Sequence, residues 1–229
     1  MDDPFLFPWP VAQDGYKIER APRYQGLLGY EPIGEDLFIA PIGGLPRYYN
    51  PLAEDGLWRQ FAATCTTDAG VLRFANKYGV LTAGNSFEQP GKTHLDEFLK
   101  LSFQLREIAG RLEKRDRQGA AERFYIGRDL STPVMHVFPF PSEKQRGSFE
   151  LRFVPKSLRD ALLYQAVDAI AGNRQYRRCR NEECPTWFRL GPHKTKEGNK
   201  TFSARREFCS DRCRVAAARR AKKGALANA

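Results

Sequence analysis

The chain has 229 residues, of which 41% are hydrophobic and 28% charged, and this ordinary globular composition excludes a largely disordered protein. Its apolar runs, such as residues 37–42, are far too short to form a membrane-spanning helix. The formal net charge of +10 favours a polyanionic partner. Because the acidic start, Met1-Asp2-Asp3, is unlike the basic start of a signal peptide, we expect a cytoplasmic protein with no membrane partner.

The N-terminal half is predicted to begin with turns and short strands and to continue with helices. Its first fifty residues are rich in proline, glycine and aromatic residues, which favour extended pieces over helices. We expect such pieces at residues 16–19 and 36–40. Helical spacing of apolar residues starts near Pro51, and a second helix is capped by Thr67 and ends at Gly79. The clearest helix covers residues 94–115, where apolar residues recur every three or four positions.

The rest of the chain is predicted to add strands and two more helices. Three runs have strand character, at residues 123–127, 134–138 and 149–154. Ser157 then caps a helix whose third residue is the acidic Asp160, and Gly172 closes it. Near the end, Ser210 can cap an alanine-rich helix that stops at Gly224.

No catalytic arrangement is visible in the sequence. Asp96, Glu97 and Glu122 are single acids on predicted solvated faces and do not form a converging pair. The glycine pairs lack the strand, helix and Lys-Ser/Thr that a phosphate-binding loop requires. Aromatic residues in this part could line a pocket for a small ligand, although such residues more often form the core. We therefore expect a protein that is not an enzyme.

Four of the five cysteines lie in two close pairs near the C-terminus. They read Cys179-x4-Cys184 and, after a polar loop, Cys209-x3-Cys213. Two such pairs can supply four thiolates to one tetrahedral ion, and four thiolates favour a closed Zn²⁺ site. Two disulfides are the alternative, which a cytoplasmic location opposes. His193 in the intervening loop could also replace one cysteine.

These elements together predict an α+β fold with two parts. Residues 1–173 form a body of helices and short strands, and residues 174–224 form a small treble-clef-like zinc module. The body's role is open. Within the module, aromatic residues supply the main apolar surface: they are Trp187, Phe188, Phe202 and Phe208. We expect them to build a small core beside the metal, although one of them could stack on a base.

The excess positive charge is confined to the module. Residues 174–223 contain 16 lysines and arginines against 5 acidic residues, a net charge of +11, while the remaining 21 basic and 22 acidic residues nearly cancel. In the last helix, five of these basic residues project onto one broad face: Arg212, Arg219, Arg220, Lys222 and Lys223. With Arg205 and Arg206 just before Cys209, they form a candidate nucleic-acid-binding surface. A solvated surface or a disordered basic tail is the alternative.

The module also resembles a known family. The segments Cys179-Arg-Asn-Glu-Glu-Cys184-Pro-Thr-Trp-Phe and Arg205-Arg-Glu-Phe-Cys-Ser-Asp-Arg-Cys-Arg look like the CGNR-type zinc finger, which ends bacterial stress-induced transcription regulators. The resemblance covers about 45 residues and implies zinc binding by the four cysteines. The chain departs from the pattern after Cys213, where Arg214-Val215-Ala216 stands in place of Gly-Asn-Arg.

The sequence therefore leads to a hypothesis and its alternatives. We expect a DNA-binding transcription regulator whose body senses a small ligand or forms a homodimer. An RNA-binding protein, or a protein-interaction module with a purely structural zinc, would explain the same charges. An enzyme is a further alternative, supported only by the aromatic residues of the body.

Overall fold

The structure of the protein is a computed structural model that describes residues 7–24, 32–82, 90–126, 135–141, 149–172, 175–184, 186–190, 192–194, 200–202 and 206–227. Within these residues the fold is α+β, with six α-helices and five small antiparallel sheets. The helices are α1 Leu57–Thr64, α2 Asp68–Tyr78, α3 Leu95–Glu113, α4 Arg117–Ile126, α5 Leu158–Ile170 and α6 Asp211–Ala227. None of them is both long and apolar enough to cross a membrane.

The strands pair mostly with near neighbours in the chain. They are β1 Trp9–Ala12, β2 Tyr16–Tyr24, β3 Pro32–Pro41, β4 Pro46–Tyr49, β5 Thr93–His94, β6 Met135–Pro141, β7 Phe149–Pro155, β8 Gln175–Arg178, β9 Trp187–Leu190, β10 Pro192–Lys194 and β11 Lys200–Phe202. One sheet has the order β2-β3-β5, and the other four are two-stranded: β1-β4, β6-β7, β8-β9 and β10-β11. The strands predicted at residues 16–19 and 36–40 are confirmed as parts of the longer β2 and β3.

The predicted helix caps are confirmed by their hydrogen bonds. Thr67 accepts a hydrogen bond from the backbone N–H of Gly70 at 3.2 Å and starts α2. Ser157 accepts one from the N–H of Asp160 at 3.1 Å and starts α5. These side chains satisfy N–H groups that have no partner within the helix, which explains why the two starts could be predicted from local sequence.

The core of the body lies around α1, between α2, α3 and α5. The Phe61 ring is fully buried and contacts Phe74 edge-on at 4.9 Å and Phe98 in a stacked arrangement at 5.9 Å, measured between ring centroids. The buried side chain of Gln165 connects α5 to the start of α1. It accepts a hydrogen bond from the backbone N–H of Trp58 and donates one to the carbonyl oxygen of Pro51. Gln165 thereby provides a hydrogen-bond acceptor for the first turn of α1, which the N-cap residue Gly56 cannot provide because glycine has no side chain.

The strand predicted at residues 123–127 is wrong for the residues that the structure describes there. Residues 123–126 belong to α4, and residue 127 lies outside the described residues. Asp116 accepts a hydrogen bond from Gly119 N–H at 2.8 Å at the helix start, and Ala120 is fully buried. In a run of five residues, the alternating apolar pattern of a strand cannot be distinguished from part of the apolar face of a helix. Tertiary packing therefore decides which element forms. The last helix also differs from expectation, because α6 passes through Gly224 and ends at Ala227.

The β8-β9 hairpin lies against α1 and joins the module to the body. Gly56, with φ +71°, allows the close approach, since a Cβ there would lie 2.8 Å from the Cβ of Trp187. The Arg59 guanidinium lies between the rings of Trp58 and Trp187, 4.9 and 4.6 Å from their centroids. The Trp187 side chain therefore packs on the body. The domain boundary at residue 173 stays a prediction.

Arg115 occupies a position at the end of α3 that normally favours glycine. Its φ is +62°, its N–H donates to the carbonyl oxygen of Leu112 at 3.1 Å, and Asp116 N–H donates to that of Arg111 at 2.9 Å. This pair of hydrogen bonds is the Schellman arrangement, whose left-handed residue is usually glycine.

We predict that Arg115→Gly raises the free energy of unfolding by about 0.5–1 kcal/mol, because it relieves the steric cost of the left-handed backbone. Urea unfolding followed by circular dichroism measures the change. A control is Arg106→Gly in the interior of α3, where glycine should lower the stability by about 1 kcal/mol. A loss of stability in Arg115→Gly would contradict the interpretation.

Candidate metal centre

The four cysteines predicted as ligands converge in the structure. The sulfur atoms of Cys179, Cys184, Cys209 and Cys213 all lie within 4.8 Å of one another. Cys179 is buried and the other three are half-buried. The group could therefore hold a metal ion, with one of its four residues buried and three half-buried.

The first cysteine pair is positioned by a tight turn next to the β8-β9 hairpin. Cys179 N–H donates to the carbonyl oxygen of Thr186 at 3.0 Å, and Cys184 N–H donates to that of Asn181 at 2.8 Å. The hairpin register, with Arg178 opposite Trp187, extends directly into this turn. Both sulfurs consequently lie on one side of a short loop, as the spacing predicted.

The second cysteine pair is positioned by the start of α6. Ser210 accepts a hydrogen bond from Cys213 N–H at 3.3 Å, which confirms the predicted cap. Cys213 thus lies in the first turn of α6, where the helix dipole favours negative charge. The two pairs are joined by Arg180, whose N–H donates to the carbonyl oxygen of Glu207 at 2.9 Å and whose guanidinium lies 2.6 Å from the Glu207 carboxylate.

The sulfur separations fit a bound ion better than disulfides. The Sγ atoms of Cys209 and Cys213 are 3.4 Å apart, and those of Cys184 and Cys209 are 3.6 Å apart. A disulfide requires about 2.05 Å. An ion held by four thiolates at about 2.3 Å requires sulfur–sulfur separations of roughly 3.8 Å. All four cysteines are free, and the metal-binding arrangement is the one that their geometry supports.

Two thiols of the cluster have pKa values shifted in opposite directions. Hydrogen bonds from the Ser210 hydroxyl and from Cys209 lower the pKa of Cys213 to about 6. Burial, together with the hydrogen bond to Cys213, raises the pKa of Cys209 to about 12. A negative charge on one sulfur opposes a second charge beside it, so a cation is needed before all four can be thiolates.

Two of the predicted nucleic-acid-binding residues make contacts within the module. Arg220 pairs with the side chains of Asn181 and Glu183, which tie α6 to the first cysteine turn. Arg206 donates from Nε to the carbonyl oxygen of Phe208 at 3.0 Å and also to that of Cys209, with its guanidinium over the ring of Phe188. These contacts were not predicted, because nothing in the spacing of Asn181 or Glu183 indicates a partner 37 or more residues away.

The other predicted basic residues are exposed or lie beyond what can be described. Arg212 and Arg219 are exposed on α6. Lys222 and Lys223 belong to α6, but their side chains lie outside the described residues, as does Arg205. The alanine face of α6 turns toward the first cysteine turn, where Ala217, Ala218 and Ala221 help to line a cavity of about 520 Å³.

Two further predictions for the module, His193 as an alternative ligand and a small aromatic core, involve residues that the structure describes only in part. His193 lies in β10 in register with Thr201, but its side chain lies outside the described residues, so its role as a ligand stays a prediction. Phe188 is buried as expected, and Phe208 is half-buried. The side chain of Phe202 lies outside the described residues. Cys65 is fully buried in the body, and burial raises the pKa of its thiol.

Comparison with known proteins gave no match to a family model, to a curated protein or to a solved structure. The site therefore has to be interpreted from its own residues.

We predict that the purified protein holds about one metal ion per chain, and that Cys179→Ser or Cys213→Ser loses it, because three thiolates cannot close the site. Elemental analysis measures the metal content. Cys65→Ala is the matched control and should keep the ion, since Cys65 lies in the body core. Retention of the full metal content in both serine variants would contradict the site.

We predict that Arg220→Ala speeds the loss of metal to a chelator, because it releases the middle of α6 from the first cysteine turn. The charge-assisted contact to the buried Asn181 contributes about 1 kcal/mol after allowance for its partial exposure. Arg219→Ala removes the same charge from the exposed neighbouring position and should leave the release rate unchanged. Equal rates in both variants would show that the pairing does not hold the helix.

Proposed function

We propose that the protein binds Zn²⁺ through its four cysteines and uses the surrounding basic module to bind nucleic acid. The single observation that carries this proposal is the coincidence of the +11 segment with the four-sulfur site. In this account the protein is a cytoplasmic, DNA-binding transcription regulator and has no catalytic role.

The donor set supports zinc as the ion. Four thiolates are soft ligands, and a site in which the protein supplies all four leaves no open position for a substrate. Such a site is structural: the metal would hold the cysteine turns together, and Cys179, Cys184, Cys209 and Cys213 would be its ligands. The chemistry that zinc supplies here is cross-linking of the chain.

The exposed arginines of α6 support a nucleic-acid partner. Arg212 and Arg219 are exposed and, among the described residues, make none of the contacts that hold Arg206 and Arg220, so they can reach phosphate oxygens. Because Cys213 fixes the first turn of α6, the ion would also fix the direction in which this surface faces. Arginine and lysine contacts of this kind position a protein on the phosphate backbone and carry no sequence readout by themselves.

The role in regulation rests on the resemblance to CGNR-type zinc fingers. The matching segments surround the four cysteines, and the Gly-Asn-Arg part of the family pattern is replaced by Arg214-Val215-Ala216. Arg214 lies 3.1 Å from the carboxylate of Asp211 and also lines the cavity beside the alanine face. If the family comparison holds, base recognition in this protein must use other side chains.

We predict that binding to duplex DNA weakens steeply with salt, because phosphate neutralisation releases counterions. Fluorescence anisotropy across a potassium chloride series measures the slope. Arg212→Gln combined with Arg219→Gln should reduce the slope by about 2, while Arg73→Gln combined with Arg106→Gln, two exposed arginines of the body, should not change it. An affinity that does not depend on salt would contradict the proposal.

Competition separates DNA from the alternatives. Displacement by structured RNA at much lower concentration than by duplex DNA would make the protein an RNA binder. Partners that remain bound after nuclease treatment, together with no salt-dependent binding of either nucleic acid, would instead support a docking surface for an acidic protein.

A further inference from the structure

A second cavity, of about 710 Å³, lies where the body meets the module, and arginine dominates its lining. The four arginines are Arg59 from α1, Arg115 from the end of α3, Arg117 from the start of α4 and Arg177 from β8. Among the described lining residues Glu113 is the acidic one, so the formal charge is +3. Leu112 and Leu190 add apolar surface, and the volume is within the range of small-molecule pockets.

Arg59 is the buried member of this group. It is 6% exposed, with its guanidinium between the rings of Trp58 and Trp187 and its Nη1 donating to Glu113 at 2.8 Å. Its Nε atom is buried and has no hydrogen-bond partner among the residues that the structure describes. Burial lowers the pKa of Arg59, and the Glu113 carboxylate only partly opposes this shift. The solvated carboxylate, 56% exposed, is a weak counterion for a charge held this deeply.

Two of the other arginines, Arg115 and Arg117, lie at or beside backbone positions with positive φ. Arg117 lies over Gly172, where a Cβ would be 2.6 Å from its Nη1 and where φ is +81°. Arg115 stands at a position where glycine would relieve the left-handed conformation. An arginine kept at such a position is better explained by its side chain than by the fold, because departures from local rules concentrate at functional sites.

We propose that this cavity binds a small molecule that carries a phosphate group, with the arginines contacting the phosphate oxygens and the apolar wall contacting the rest of the ligand. Several arginines around one anion can donate paired hydrogen bonds to its oxygens, which is the geometry that phosphate favours. The negative charge of the ligand would also offset the electrostatic repulsion among the arginines that line the cavity.

The cavity is connected to the metal centre through hydrogen bonds. Arg177 donates from Nη1 to the carbonyl oxygen of Arg206 at 3.2 Å, and the Arg206 side chain in turn donates to the carbonyl oxygen of Cys209. A ligand that contacts Arg177 would therefore act on the backbone at Arg206, three residues before Cys209. Body and module would be tied together by the bound anion.

The test is a calorimetric titration of the full chain with pyrophosphate, in buffers matched in ionic strength with sodium chloride. We expect one pyrophosphate per chain and an affinity at least about tenfold weaker in Arg117→Gln, since one charge-assisted donor is lost. Arg115→Gly should also weaken binding while raising the midpoint of thermal unfolding. That combination separates a binding role from a structural one.

Two control variants define the results that would overturn the proposal. Arg106→Gln, at an exposed arginine of α3 outside the cavity, should bind pyrophosphate as the unaltered chain does. Arg219→Gln should also keep pyrophosphate binding even if it weakens nucleic-acid binding, so failure here is distinct from failure of the proposed function. No binding above the chloride-matched buffer, or a loss in Arg219→Gln without one in Arg117→Gln, would overturn the cavity as the site.

Discussion

Four sulfur atoms that lie within 4.8 Å of one another, close enough to share one cation, are the feature on which the proposal for the C-terminal module depends. Its strands are three or four residues long, and many of the described side chains of α6 are exposed, so apolar burial contributes little there. A structural zinc site supplies about 10–16 kcal/mol in small peptides, far more than two short hairpins can. The contacts of Arg206 and Arg220 then orient the turns and α6 around that site.

In the body, by contrast, apolar burial is extensive, and this gives the module a fixed surface on which to pack. Its core is filled by large aromatic and aliphatic side chains, with Phe61 at the centre and Gln165 satisfying the start of α1. The same helix presents Arg59 to the β8-β9 hairpin, where Trp187 covers it. A buried guanidinium between two indole rings therefore forms the junction, and it also forms the wall of the arginine-lined cavity.

Local signals in the sequence account for the features that were predicted correctly. Hydroxyl caps at Thr67, Ser157 and Ser210 act on backbone groups three residues away, and cysteine spacing specifies paired ligands, so neither requires knowledge of the fold. Long-range pairs carry no such signal: Gln165 contacts Trp58 across 107 residues, and Arg220 contacts Asn181 across 39. The strand predicted at residues 123–127 is likewise wrong at residues 123–126, which belong to α4, a helix whose Ala120 packs in the core.

X-ray absorption at the metal edge tests the central claim most directly, because it identifies the element and its neighbours in one spectrum. The account predicts zinc with four sulfur neighbours at about 2.3 Å and no nitrogen or oxygen in the first shell. A first shell that contains nitrogen or oxygen would contradict the four-cysteine site, and a different metal would contradict zinc as the ion that holds the module.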